Sequence, residues 1–277
     1  DPVDIDVELP PAAWAHAAYE PAWSPDGLGI AVSLNRPGSS AMLVDHDLVV
    51  FDTLGSWSQV TDGYAAGSPS WSPDGTEIAH TGPESSITVV ARDGSRSTEY
   101  PTGQQIIAGV AWSPSGGTIA FWTLSGSSET HIFLLDLATS AITRLTEPGS
   151  SNTELSWSPD GTEAVFASNR SCTYQLYRMD ADGSDVTRLS DAPGGARDPV
   201  WSPCGTSIAY TTTSGVETFL ETQNLDGSEV TRLTRNAESP TWSPDCTRLA
   251  FTSSRAARVE GARHIWIIDA DGSNARQ

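Results

Sequence analysis

Trp157-Ser158-Pro159-Asp160-Gly161 is one of six near-copies of a single phrase in this chain. The others are Trp23-Ser24-Pro25-Asp26-Gly27, Trp71-Ser72-Pro73-Asp74-Gly75 and Trp112-Ser113-Pro114-Ser115-Gly116. Trp201-Ser202-Pro203-Cys204-Gly205 and Trp242-Ser243-Pro244-Asp245-Cys246 complete the set. The tryptophans are spaced 48, 41, 45, 44 and 41 residues apart. A period of about 44 holds one four-stranded unit and marks propellers and other arrays.

The fifth copy shows how each unit is built. Pro199-Val200-Trp201 reads as a short apolar strand, and Ser202 to Gly205 as a turn. Ser207 to Thr211 is a second strand, and a polar loop leads into a third at Thr218 to Thr222. Asn224-Leu225-Asp226-Gly227 then turns the chain into Val230 to Thr234. Pro pre-sets φ for the first turn position, Asp tolerates the tight geometry and Gly supplies positive φ. The later Asp-Gly pairs, such as Asp93-Gly94 and Asp182-Gly183, mark hairpins between third and fourth strands. One large Trp per unit is the filler that twisted sheets packed face to face require.

The expected fold is all-β: a six-bladed propeller of four-stranded antiparallel blades, forming one domain over residues 1–277. Residues 1–20 form a lead-in and 21–277 the six repeats. Val3-Asp4-Ile5-Asp6-Val7-Glu8-Leu9 alternates apolar and polar residues strictly, as a strand does. Only 35 residues follow Trp242, short of a full period. This N-terminal strand is therefore expected to pair onto the last blade and close the ring, since radial sheets leave only short, protected edges.

Thirty-five acidic residues face fifteen basic ones, all Arg, for a net charge of −20. That balance argues against nucleic acid and anionic membrane, both of which need basic patches. It suits a cationic ligand, a basic protein surface or simple solubility. No apolar run is long enough to span a bilayer. The start at Asp1 fits a processed, exported protein or a trimmed chain. Cys204 and Cys246 occupy equivalent turns of neighbouring blades, so both fall on one face. A bridge between them needs Cα atoms within about 7 Å. Cys172 falls in a loop on the opposite face and is expected to be unpaired.

The repeated Trp-Ser-Pro-Asp-Gly resembles the PD40 propeller repeat of the TolB family. Ala167-Ser168-Asn169-Arg170, Tyr174-Gln175-Leu176-Tyr177, Asp180-Ala181-Asp182-Gly183 and Val186-Thr187-Arg188-Leu189 continue the likeness. The resemblance runs from about Pro21 to the C-terminus. It implies a six-bladed propeller, a periplasmic or extracellular location and protein partners in envelope complexes. TolB proteins also carry a smaller N-terminal α/β domain, for which the residues ahead of the first repeat are too few. Prolyl oligopeptidase-type propellers and oligogalacturonate lyases carry similar repeats, and fold alone does not choose among these functions.

Within each blade the second-to-third-strand loop and the link to the next blade share one face. Those loops are long and varied, and variable loops on a rigid scaffold are where function usually lives. Three residues before each Trp, beside the central channel, stand Glu20, Ser68, Gly109, Glu154, Asp198 and Ser239. One residue earlier stand Tyr19, Gly67, Ala108, Thr153, Arg197 and Glu238. Glu20, Glu154, Asp198 and Glu238 are thus expected to converge on one channel mouth. They suit a hard cation such as Ca²⁺, which takes several oxygen ligands, or a cationic ligand. The alternative is separate solvated carboxylates, paired with Arg197 or Arg235.

His16 and His46 can face the mouth from the lead-in and the first-blade insertion, but no zinc-like spacing occurs among the five histidines. Neither an EF-hand loop nor a Gly-x-Ser-x-Gly elbow is present. The expected function is therefore a non-catalytic, monomeric recognition module that binds a protein or peptide through its loop face, without a required cofactor. Tyr19, Tyr64, Trp122 and Trp14 are its candidate anchors. The alternative is a lyase or hydrolase, metal-dependent or not, acting on a sugar or small metabolite at the channel mouth. It would use His16, His46, Arg36 and the carboxylates, with Arg170 and Arg255 on any anionic group. A third reading is a small-molecule or metal binder without turnover.

Overall fold

The computed structural model describes residues 18–35, 46–52, 56–62, 67–104, 106–124, 129–254 and 264–276. Blade 1 comprises β1 (Ala18–Trp23), β2 (Gly29–Asn35), β3 (His46–Asp52) and β4 (Trp57–Gln59). Blade 2 comprises β5 (Gly67–Trp71), β6 (Glu77–Thr81), β7 (Ser86–Ala91) and β8 (Ser97–Pro101). Blade 3 follows with β9 (Ile106–Trp112), β10 (Thr118–Leu124), β11 (Ile132–Asp136) and β12 (Ile142–Arg144). Blade 4 holds β13 (Asn152–Trp157), β14 (Glu163–Ser171), β15 (Thr173–Asp180) and β16 (Thr187–Arg188). Blade 5 holds β17 (Ala196–Trp201), β18 (Ser207–Ser214), β19 (Glu217–Asn224) and β20 (Thr231–Arg235). Blade 6 has β21 (Glu238–Trp242), β22 (Arg248–Ser253) and β23 (His264–Asp269). Each sheet is an antiparallel meander in chain order.

Every pair of neighbouring blades shares an apolar cluster, so the core is a ring of interfaces. Phe121 of blade 3 packs with Ile87 of blade 2, and Phe166 of blade 4 with Ile132 of blade 3. Trp23, Ile30, Val32 and Phe51 of blade 1 pack on Ala250 and Ile267 of blade 6, which closes the ring. The tryptophans do more than fill space. The indole N–H of Trp71 donates to the Ala22 carbonyl of the preceding blade at 3.0 Å. Trp157 does the same to Ala111 at 3.2 Å, and Trp242 to Val200 at 3.3 Å.

The repeated turn is an Asx motif that needs its residues. In blade 4 the Asp160 carboxylate accepts from the Ser158 hydroxyl at 2.7 Å and from the Thr162 N–H at 3.0 Å. The Ser158 hydroxyl in turn accepts the Glu163 N–H at 2.9 Å. Gly161 sits at φ 71°, where a side chain is strained. Its open face meets Pro114 of the preceding turn. Five of the six turns therefore stack Gly against the Pro of the preceding turn around one face of the ring, and the sixth carries Cys246 in place of the glycine.

The Val3–Leu9 closing strand lies outside the described residues. In the last blade, Arg276 exchanges two backbone hydrogen bonds with Ile267, at 2.7 and 2.8 Å. Thr187 stands in the same relation to Arg178 in blade 4. The fourth-strand position of blade 6 is thus entered by the chain's own C-terminal end.

Candidate functional site

The first strand of every blade faces the axis, and together they enclose a cavity of about 800 Å³. The turn prolines Pro25, Pro114, Pro159 and Pro203 line one end. The other end, on the loop face, is shaped by a feature that the sequence reading missed. Glu20, Ser68, Glu154, Asp198 and Ser239 all take a left-handed backbone, with φ of 51°, 49°, 59°, 49° and 48°. At each of them the ladder to the second strand skips register, as a β-bulge does. The signal was present: four of the five stand before a proline, at Pro21, Pro69, Pro199 and Pro240, which cannot donate to a ladder.

The bulge turns the side chains of Glu20, Ser68 and Glu154 toward the next blade. The Glu20 carboxylate accepts the Ser68 N–H at 2.6 Å, one blade on. Glu154 accepts the Asp198 N–H at 2.8 Å and a guanidinium N–H of Arg197, also at 2.8 Å. Asp198 accepts the Thr211 hydroxyl at 2.9 Å. Glu20 and Glu154 therefore staple blades together as well as line the cavity. Burial, followed by the charge of Asp198, pushes Glu154 up to about 7, against the pull of Arg197. Burial also raises Glu20, opposed by its bonds to Ser68 and helped by Asp198. The Asp198 charge thus acts on both Glu20 and Glu154.

Blade 3 departs from the pattern. Gly109 replaces the acidic or hydroxyl residue, and a Cβ there would come within 2.1 Å of the Trp122 ring. The missing side chain lets Trp122 lie against the first strand and join the lining. In the adjacent blade 4 Tyr174 lines the mouth, with the Arg197 guanidinium 3.7 Å from its ring centre. The sequence reading did not single out Tyr174, because nothing in the repeat marks the start of a third strand as axial.

Glu20, Glu154, Asp198 and Arg197 are brought together at the cavity. Glu238 pairs with Thr252 in the ladder and is not among the lining residues, where its neighbour Ser239 stands. Of the four carboxylates, Glu20, Glu154 and Asp198 line the cavity. Tyr19 and His46 make an edge-on ring contact at 5.4 Å and do not line the cavity. Arg170 lies off the axis, over the Tyr177 and Phe166 rings. His16, Trp14, Arg36, Tyr64 and Arg255 fall outside the described residues. His80 is buried at the blade interior, where burial lowers its pKa, and His131 stands 3.9 Å from Glu129. Among the described residues no histidine lines the cavity, and no three His, Cys, Asp or Glu side chains are grouped to hold a metal ion. None of their helices is long and apolar enough to cross a membrane.

The family model described as the TolB beta propeller domain (PD40) matches residues 45–277. The chain belongs to the TolB β-propeller family. TolB from Acinetobacter baumannii superimposes with a TM-score of 0.77 at 25% identity, over 89% of this chain and 62% of that one. The TolB-family chain thus spans less than two thirds of that relative. An Agrobacterium tumefaciens structure provisionally assigned as TolB gives 0.72 at 23% identity, over 92% and 90%. Oligogalacturonate lyase from Vibrio parahaemolyticus gives 0.67 at 12%, over 96% and 79%, a likeness of fold alone. No curated protein matches the chain by sequence.

One further feature of this TolB-family ring lies on the turn face. Cys204 and Cys246 form a disulfide with their Cα atoms 6.2 Å apart, inside the limit such a bridge requires. Cys204 replaces the turn Asp and Cys246 the turn Gly, and the stacking of successive turns brings these two positions together. Cys246 holds φ 59°, the conformation that the glycine would have taken. Cys172 is a free, exposed thiol.

Proposed function

We propose that this propeller is a recognition module whose loop face binds a protein or peptide, with one side chain of the partner entering the channel mouth. The observation that carries this is the composition of the mouth. Trp122 and the Tyr174–Arg197 stack share one cavity with Glu20, Glu154 and Asp198. Aromatic residues and Arg are the usual anchors of protein interfaces, and they sit here on a preformed concave site. The carboxylates and the net charge of −20 favour a basic side chain as the one that enters. A periplasmic or extracellular location fits this reading, because the Cys204–Cys246 bridge forms and persists in oxidising compartments.

The lyase or hydrolase reading needs a base and an acid within hydrogen-bond reach in one cavity. The described lining offers carboxylates bound to backbone N–H groups and to Arg197, without a histidine beside them. That geometry supports binding better than turnover.

Selection of displayed random peptides on the immobilised protein tests the proposal. Enriched peptides are expected to carry Arg or Lys and to lose at least about tenfold in affinity for a Tyr174→Ala or Trp122→Ala variant. Peptides that bind both variants as tightly as the parent would place recognition elsewhere and overturn it.

A further inference from the structure

Arg170 is held by two rings and two hydrogen bonds rather than by an acid. It rises from the loop-face end of β14, and its guanidinium lies 4.6 Å from the Tyr177 ring centre and 5.3 Å from that of Phe166. Its Nε donates to the Ser168 hydroxyl at 3.0 Å, and one terminal nitrogen donates to the Asn152 side-chain oxygen, also at 3.0 Å. Asn152 is fully buried and is itself held, its amide donating to the Ser150 carbonyl at 2.9 Å. Two rings and two hydrogen bonds therefore fix the plane and rotation of the guanidinium.

What it lacks is an acid. Arg92, Arg96, Arg178, Arg188, Arg197, Arg232 and Arg235 each pair with a carboxylate, whereas Arg144, Arg248 and Arg276, like Arg170, form no ion pair with a described residue. Among the described residues no carboxylate lies within ion-pair distance of Arg170. In a chain with 35 acidic and 15 basic residues, random pairing on an exposed surface favours the opposite outcome. The remaining terminal nitrogen of Arg170 makes no hydrogen bond with a described residue, and the side chain is exposed on the loop face. Such a fork, already oriented and already stacked, is what bidentate recognition of a carboxylate uses. Holding it in place beforehand removes most of the ordering entropy that binding would otherwise cost.

We infer that Arg170 is a carboxylate-binding point on the loop face, which receives an acidic group of the bound protein or peptide. The inference rests on the reading of that face as a partner surface, and it gives the partner an acidic group in addition to the basic one at the mouth. The acidic group is either an Asp or Glu side chain or a chain-terminal carboxylate.

The test reads the side-chain Nε–H resonance of Arg170, assigned by its absence in Arg170→Lys, at constant ionic strength. Three probes are titrated: acetyl-Ala-Asp-Ala-amide, acetyl-Ala-Ala-Ala with a free carboxylate, and acetyl-Ala-Ala-Ala-amide. The inference expects a saturable shift at Arg170 with at least one carboxylate probe and none with the neutral peptide. Which of the two carboxylate probes acts distinguishes a side-chain from a terminal source. The shift should exceed that of the exposed Arg144, and probe affinity, read from backbone amide shifts, should fall about tenfold in Arg170→Lys, which keeps the charge but not the fork. Shifts that fail to saturate, that match Arg144, or that appear equally with the neutral peptide overturn it. A positive result alongside failed peptide selection would refute the partner reading and leave the anion site standing.

Discussion

At the residue scale, Glu154 joins structure to electrostatics. Its carboxylate ties blade 4 to blade 5 through the Asp198 N–H and Arg197, yet burial and Asp198 hold it at about 7. A carboxyl raised above its unfolded value favours the fold fully below that unfolded value, near 4.5. The contribution is lost as pH rises through about 7. Glu154→Gln stays neutral throughout, so its melting temperature relative to the parent should climb between pH 5 and pH 8. A difference that stays flat across this range would show that Glu154 is not perturbed in the fold. Over the same window the parent's affinity for a basic peptide should increase, since the mouth gains negative charge. The residues at this mouth were partly legible beforehand. The Trp-minus-three position is fixed by the repeat, so Glu20, Glu154 and Asp198 were found. Tyr174 was not, because its place depends on how the Arg197 side chain folds across from the neighbouring blade.

At the scale of the element, the Trp-bearing first strand is the working part. Its indole both fills the gap between sheets and, in blades 2, 4 and 6, donates to the blade before. Trp71 and Trp23 are equally buried, but the Trp23 indole N–H has no hydrogen-bond partner among the described residues. Trp71→Phe should therefore cost about 1 kcal/mol more than Trp23→Phe in urea unfolding, the net worth of one buried hydrogen bond. Equal losses would make the indole contacts purely a matter of volume. Strand order and turns were readable because Pro, Asp and Gly each demand a local backbone that neighbouring residues do not override. The bulge at Glu20, Ser68, Glu154, Asp198 and Ser239 was not read. Its left-handed φ falls on Glu, Ser and Asp, residues without a glycine's flag.

For the whole molecule, ring closure is the central problem, and two devices bear on it. Blade 1 packs on blade 6 through Trp23, Phe51 and Ile267, and the Cys204–Cys246 bridge clasps blades 5 and 6 on the turn face. The bridge closes a loop with a sequence separation of 42. Cys204→Ser with Cys246→Ser should lower stability by about 2–4 kcal/mol in denaturant titration, as restraint of the unfolded chain predicts. No change in midpoint would show that the bridge adds nothing to the ring. The amino-acid sequence by itself determined the number of blades, the strand order within each, the turn chemistry and that the residue three before each Trp stands beside the axis. All of these follow from local propensity and a fixed period. The tertiary structure alone decided that Glu238 is not among the residues lining the mouth, that Trp122 and Tyr174 enter it, that Glu154 titrates near neutrality, that Arg170 is left without an acid and that two cysteines meet. Those outcomes depend on distances between blades of a few ångströms, and on burial, which no single repeat encodes.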